Sequence, residues 1–252
     1  MNSASAMPRS TDMKAPPAFE IFNPGGSSPY VLTCEHASNC LPPEYNRLGL
    51  PESELQRHIA YDIGAAGMAR ELSKALDAPL ILSGYSRLLI DCNRPLHSPT
   101  LMPVVSEATN IPGNRGLTQE EIDARTNLFY WPFQNAVSAV LDSRKTRGQN
   151  TILLAMHSFT PVFKGFTRPW HAGVLFRRSR RLGRLLVKRL NAPGRLVEAN
   201  QPYQISDEGD YTIPVHGEAR RLEAVLFEVR QDLIRSTEGQ KTWATLIAQA
   251  LD

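Results

Sequence analysis

The sequence predicts a single α/β domain built on a mostly parallel sheet with helices over both faces. Two patterns carry that prediction. Short, continuously apolar runs such as NTILLAMH (150–157) and AVLFEVR (224–230) have the character of strands buried on both sides. Between such runs lie longer segments with apolar residues at helical spacing, and this alternation marks strand–helix–strand units. The length of 252 residues suits one such unit. A compact chain of that size buries roughly three quarters of its unfolded surface, so it needs neither disulfide nor metal to hold a core.

Taken in order, PYVLTCEH (29–36) reads as a buried strand after the turn-forming NPGGSS. Residues 58–77 read as a helix, with Ile59, Ile63, Ala66, Met68, Leu72 and Leu76 on one side. PLILSG (79–84) and SRLLIDC (86–92) read as two further strands around Gly84. Residues 93–117 hold four prolines and two glycines and form a long excursion, of the kind that is functional or mobile in compact domains. Thr118 and Glu121 form a capping-box pattern that opens a helix running to about Lys145, kinked before Pro132. Strands are expected at 150–157, 171–176, 194–200 and 224–230, with helices at 180–190 and over the last 16 residues.

Composition excludes several classes. With 28 Lys+Arg against 25 Asp+Glu the formal net charge is +3, which gives no global reason to expect nucleic acid. The run from Arg177 to Arg189 carries seven basic residues, but Leu182, Leu185, Leu186 and Leu190 form an apolar stripe through it, so it reads as a solvated helix face over the core. No stretch approaches the ~18 uninterrupted apolar residues of a membrane span. Residues 1–20 lack the apolar core of a secretory signal and read as a flexible leader, with 21–252 as the domain. Cys34, Cys40 and Cys92 are an odd set without a CxxC pair; they suit a reducing compartment and a cytoplasmic location.

In open α/β sheets ligands bind beyond the carboxyl ends of the strands, so the residues there are the candidates. Glu35-His36 end the first strand, Asp91-Cys92-Asn93-Arg94 the third, His157-Ser158 the strand at 150, and Glu228-Val229-Arg230-Gln231-Asp232 the last. Two neutral imidazoles and a carboxylate leave a zinc ion one open position, as hydrolytic zinc requires. His36 and His157 are the ligand candidates, and Glu228 is the candidate base. Arg87, Asn93 and Arg94 offer donors for an anionic substrate, and Arg230 a contact for a second carboxylate or a simple pair with Asp232. Ser158 lacks a nucleophile-elbow setting and reads as a neighbour of His157.

The segments VLTCEHASNCLP, HIAYDIGA, SRLLIDCNRP, LAMHSF, YTIPVHGEARR and FEVRQDLI, in this order from about Tyr30 to Asp232, resemble the N-formylglutamate amidohydrolase family. That resemblance implies a fold like that of zinc-dependent exopeptidases, a three-layer α/β/α sandwich of the phosphorylase/hydrolase-like kind. It implies hydrolysis of N-formyl-L-glutamate to formate and L-glutamate in histidine breakdown, with zinc or another divalent metal as cofactor. Asp91-Cys92-Asn93-Arg94 fits the DxNR segment of the related aspartoacylase group, so Asn93 and Arg94 would grip the substrate carboxylate. His36 and His157 would bind zinc, Glu228 would be the general base, and His216 would polarise the scissile carbonyl. One position departs from the pattern. The related HxxE metal motif has its carboxylate three residues after the histidine, where this chain has Asn39. The third ligand then falls to Asp62 or Glu35, with Asp62 preferred.

The expected partner is a small N-acyl amino acid, with neither nucleic acid nor membrane. The alternatives are another N-acyl amino acid or small peptide as substrate, a cysteine hydrolase using Cys34 or Cys92 beside His36, and a non-catalytic anion-binding homologue. The sequence does not specify an oligomeric state.

Overall fold

The computed structural model describes residues 16–252. Among them seven strands form one sheet: β1 (Phe19–Phe22), β2 (Tyr30–Cys34), β3 (Leu80–Ser83), β4 (Ile152–Phe159), β5 (Ala172–Leu175), β6 (Val197–Ala199) and β7 (Glu223–Arg230). Their spatial order is β1-β3-β2-β4-β7-β5-β6. The pairs β3/β2, β2/β4, β4/β7 and β5/β6 are parallel, whereas β1/β3 and β7/β5 are antiparallel. The expected α/β architecture is therefore present, as a mixed sheet with helices on both sides.

The two-residue period of the central strands sorts their side chains into two cores. Val31, Leu153, Ala155, Ala224 and Leu226 face one side, against Phe133, Val137 and Leu141 of helix Trp131–Thr146. Leu32, Leu154, Met156, Val225 and Phe227 face the other, against the helices Ala65–Leu76, Arg180–Leu190 and Thr237–Leu251. Burial on both faces explains why these strands read as unbroken apolar runs. On Arg180–Leu190 the buried residues are Gly183, Leu186 and Leu190, while the arginines stay at the surface.

Three expected elements differ. The helix expected from residue 58 begins at Ala65. Gly64 precedes it at φ 82°, and a Cβ there would lie 2.1 Å from the Ile234 carbonyl oxygen, so the chain turns instead of extending the helix backward. Asp62 consequently sits in a turn, its N–H bonded to the His36 carbonyl at 3.0 Å. The strand expected at 86–92 is a series of turns. Its leucines are buried, but its carbonyls are met by side chains: Asn114 donates to Leu88, Arg125 to Leu89 and Gln134 to Cys92. The leader expected over 1–20 lies mainly outside the described residues, and its last two residues belong to β1, paired along β3.

The capping box is present, with Glu121 N donating to Thr118 Oγ1 and the Glu121 carboxylate accepting from Thr118 N. The kink before Pro132 is a π-helical turn over Thr126–Tyr130. No helix among the described residues is long and apolar enough to cross a membrane.

Candidate active site

The chain reverses direction across the sheet between β2 and β4, and the crevice beyond their carboxyl ends is where a site is expected. His157 on β4 and Glu228 on β7 are register partners, both on the Leu153/Ala155/Leu226 face. Thr33 pairs with Ala155, and continuing that register brings Glu35 beside His157. Three polar residues from three adjacent strands thus occupy one row, and His36 and Asp62 close over its end.

His36, Asp62 and His157 are all buried, and one ligand atom from each lies within 4.8 Å of the others. His157 Nδ1 is 3.1 Å from His36 Nδ1 and 2.8 Å from Asp62 Oδ2, and His36 Nδ1 is 3.3 Å from the same oxygen. Each ring has a carboxylate behind it. His36 Nε2 is 2.7 Å from Asp91 Oδ1, and His157 Nε2 is 2.8 Å from Glu35 Oε2, the latter off the hydrogen-bond direction. A carboxylate at the outer nitrogen is the usual support of a metal-binding histidine, because it turns the other nitrogen's lone pair inward. The donor set therefore fits a divalent cation, and this buried group could hold one.

Electrostatics follow the geometry. Burial pushes the Glu35 carboxyl up, but His157 and the Thr212 hydroxyl outweigh it and bring the pKa down to about 2. Burial likewise opposes ionisation of Asp62 and Asp91. His36 and His157 hold Asp62 below the usual carboxylate range, while Arg87 and His36 hold Asp91 well below it. Against its own burial, His157 is held well above the ordinary imidazole value by Asp62 and Glu35. Glu228 goes the other way. Burial, opposed by His157 and assisted by Asp62, pushes its pKa to about 8, and its Oε2 is buried without a hydrogen-bond partner among the described residues.

His36, Asp62, His157 and Glu228 border a cavity of about 280 Å³ that is also lined by His58, Arg87, Asn93, Arg94, Tyr203 and Asp210. Arg87 donates to Asp91 through Nε at 3.1 Å and Nη2 at 2.7 Å, and its Nη1 is 3.6 Å from Asp62 Oδ1. Asn93 Oδ1 accepts from Tyr211 N and Thr212 N, and its amide donates to Asp210, so Asn93 pins the loop that forms the cavity wall. Arg94 donates to the Gly209 carbonyl of that loop and to Thr100.

The structure does not bring His216 or Arg230 to the cavity lining. His216 is buried with Nε2 2.8 Å from Gln134 Oε1, and burial together with Arg220 lowers its pKa to about 4. Arg230 pairs with Asp232 and reaches backbone carbonyls at Arg168 and Trp170. Asn39 donates to the Leu55 carbonyl at 2.9 Å, a structural role in place of metal ligation. Ser158 Oγ donates to Ile63 O. Cys34 and Cys92 are buried off the cavity, and burial pushes both thiols well above their ordinary value, which removes the cysteine-nucleophile reading.

Sequence reasoning did not anticipate His58, Tyr203 and Asp210 as lining residues, or the carboxylate of Glu35 as the support for His157. A carboxylate directly before a strand-end histidine was the available signal for Glu35. Nothing local marks the others.

The model of the N-formylglutamate amidohydrolase family matches residues 28–235. The gene product Atu2144 from Agrobacterium tumefaciens has a similar structure, with a TM-score of 0.90 at 36% identity, over 94% of this chain and 96% of that one. The N-formylglutamate amidohydrolase from Ralstonia eutropha JMP134 shares the fold with a TM-score of 0.66 at 20% identity, over 94% of this chain and 96% of that one. No curated protein matches the sequence significantly. The family match spans every strand of the sheet except β1 and every group of the cavity, and the chain belongs to the N-formylglutamate amidohydrolase family, as an amidohydrolase.

Proposed function

We propose that the protein hydrolyses the amide bond of a small N-acyl amino acid, with N-formyl-L-glutamate as the first substrate to test, and that His36, Asp62 and His157 hold a divalent metal. The observation that carries this reading is the convergence of three buried ligand residues beside Glu228, whose Oε2 has no partner among the described residues, in one cavity. A zinc ion, which the two-imidazole, one-carboxylate set favours, would polarise the acyl carbonyl and lower the pKa of water.

The rest of the chemistry belongs to the side chains. Water adds to the acyl carbon and Glu228, whose carboxylate form a cation on His36, Asp62 and His157 would favour, accepts its proton. Glu228 then delivers that proton to the nitrogen as the C–N bond breaks, so an N-formyl amino acid and water give formate and the amino acid. Arg87 and Arg94 supply guanidinium charge to the cavity for the substrate carboxylates, and Asn93 supports them by fixing the 209–212 wall.

The test is formate release from N-formyl-L-glutamate, compared with release of acyl groups from other N-acyl amino acids. It is run on protein as purified, after chelation, and after zinc is restored. Release that chelation stops and zinc restores is the expected result. Absence of release from every N-acyl amino acid overturns the substrate class, and release indifferent to chelation overturns the metal.

A further inference from the structure

The long excursion after residue 93 has a defined tip. Val105–Ser106 pairs antiparallel with Thr109–Asn110, and Glu107 sits in the intervening turn at φ 52°, a left-handed conformation uncommon for a residue with a side chain. The turn is fastened to residues 54–58. Thr109 Oγ1 donates to Glu54 at 2.7 Å, Arg57 Nη1 donates to Thr109 Oγ1 at 2.9 Å, and Arg57 Nη2 donates to Glu107 Oε2 at 2.8 Å. The other oxygen of Glu107, Oε1, lies 3.1 Å from Nε2 of His58, whose ring lines the cavity. Nε2 is buried beside Glu107 and makes no hydrogen bond of good geometry among the described residues. With Nε2 set against Glu107, Nδ1 is the ring nitrogen left for a molecule in the cavity.

The surroundings say what that molecule would offer it. Asp62 and Glu228 are almost fully buried, while the His58 side chain is 24% exposed, so His58 stands at the open end. Both lining arginines already commit donors to the protein, Arg87 to Asp91 and Arg94 to Thr100 and Gly209. A substrate with two carboxylates requires cationic donors at two places, and a protonated His58 would supply one of them at the cavity rim. We propose that His58 is a substrate-binding residue that reads the side-chain carboxylate of a dicarboxylic N-acyl amino acid, with Glu107 as the positioning residue that sets its ring. Reading a carboxylate requires a hydrogen on both ring nitrogens, one toward Glu107 and one toward the substrate, and that places a carboxylate on each side of the ring. The excursion is thus a specificity element, and its tip delivers Glu107 to the cavity rim.

This inference rests on the N-acyl amino acid reading above, and the experiment separates the two. KM and kcat are measured for N-formyl-L-glutamate and for N-formyl-L-glutamine, which replaces the side-chain carboxylate by a neutral amide of the same shape. His58→Asn is expected to raise KM for the glutamate substrate about tenfold with kcat within about twofold, and to leave KM for the glutamine substrate in place. Glu107→Gln is expected to shift the same KM in the same direction by less, and it covers the case in which His58→Asn fails to fold. Equal changes for both substrates, or an unchanged KM for the glutamate substrate, overturn the inference. Should the unaltered protein release formate from neither substrate, the functional reading fails first. Calorimetric binding of L-glutamate against L-glutamine then decides the inference alone: a preference for glutamate lost in His58→Asn supports it, and no preference overturns it.

Discussion

The Nδ1 atoms of His36 and His157 stand 3.1 Å apart and share one carboxylate oxygen, Asp62 Oδ2. Two imidazole nitrogens at that distance cannot both carry a proton toward each other, so the pair could hold a single cation between them. With Asp91 and Glu35 behind the outer nitrogens, both rings are fixed before any ligand arrives.

Zinc is accordingly expected to stabilise the fold. An ion that binds only the native state adds about 2.7 kcal/mol at a free concentration 100 times its Kd. Thermal unfolding of chelator-treated protein should shift upward on adding zinc, and Asp62→Asn should remove most of that increment. An identical shift in Asp62→Asn would take Asp62 out of the ligand set.

Glu228 contributes a carboxylate oxygen with no partner among the described residues, at the register position beside His157. Glu228→Gln preserves shape and removes the proton acceptor. It should lower kcat by about 10²–10⁴-fold while substrate binding, measured by calorimetry, stays close to that of the unaltered protein. A kcat within a few-fold of normal would assign the proton transfer to another group.

Asn39 occupies the position where the related motif has a carboxylate, yet its amide is given to the Leu55 carbonyl. Asn39→Ala should cost about 1 kcal/mol of stability in denaturant unfolding, with zinc stoichiometry unchanged. A drop in bound zinc would place Asn39 in the metal site.

His216 makes stability depend on pH. Its pKa falls from the ordinary 6.5 to about 4 because burial disfavours the charged ring. The unfolded chain therefore takes a proton below pH 6.5 that the native state refuses until about pH 4. Its contribution is undiminished above that window and falls by about 3 kcal/mol as the pH drops through it. The stability difference between the unaltered protein and His216→Gln should shift by about that amount between pH 7 and pH 4. A pH-independent difference would show that the ring titrates normally.

Much of the fold was legible because the central strands are buried on both faces, and such strands announce themselves as apolar runs. The polar residues at their ends were legible for the same reason, since His36, His157 and Glu228 break those runs at the edge where ligands bind. SRLLIDC was misread as a strand. Its apolar content reports burial, but burial does not say where its carbonyls find partners. Those partners, Asn114, Arg125 and Gln134, lie far along the chain.

The sequence by itself determined the alternation of strand and helix, the two cores and the strand-end residues, because two-residue and helical periodicities are local properties. Only the tertiary structure decided how those residues meet. It set Asp62 against two histidines through a turn that Gly64 permits, turned His216 toward Gln134 and Arg230 toward Asp232, and brought Glu107 on a distant hairpin to His58. Through-space contacts between side chains far apart in sequence depend on register, loop path and burial together, and no local pattern encodes that combination.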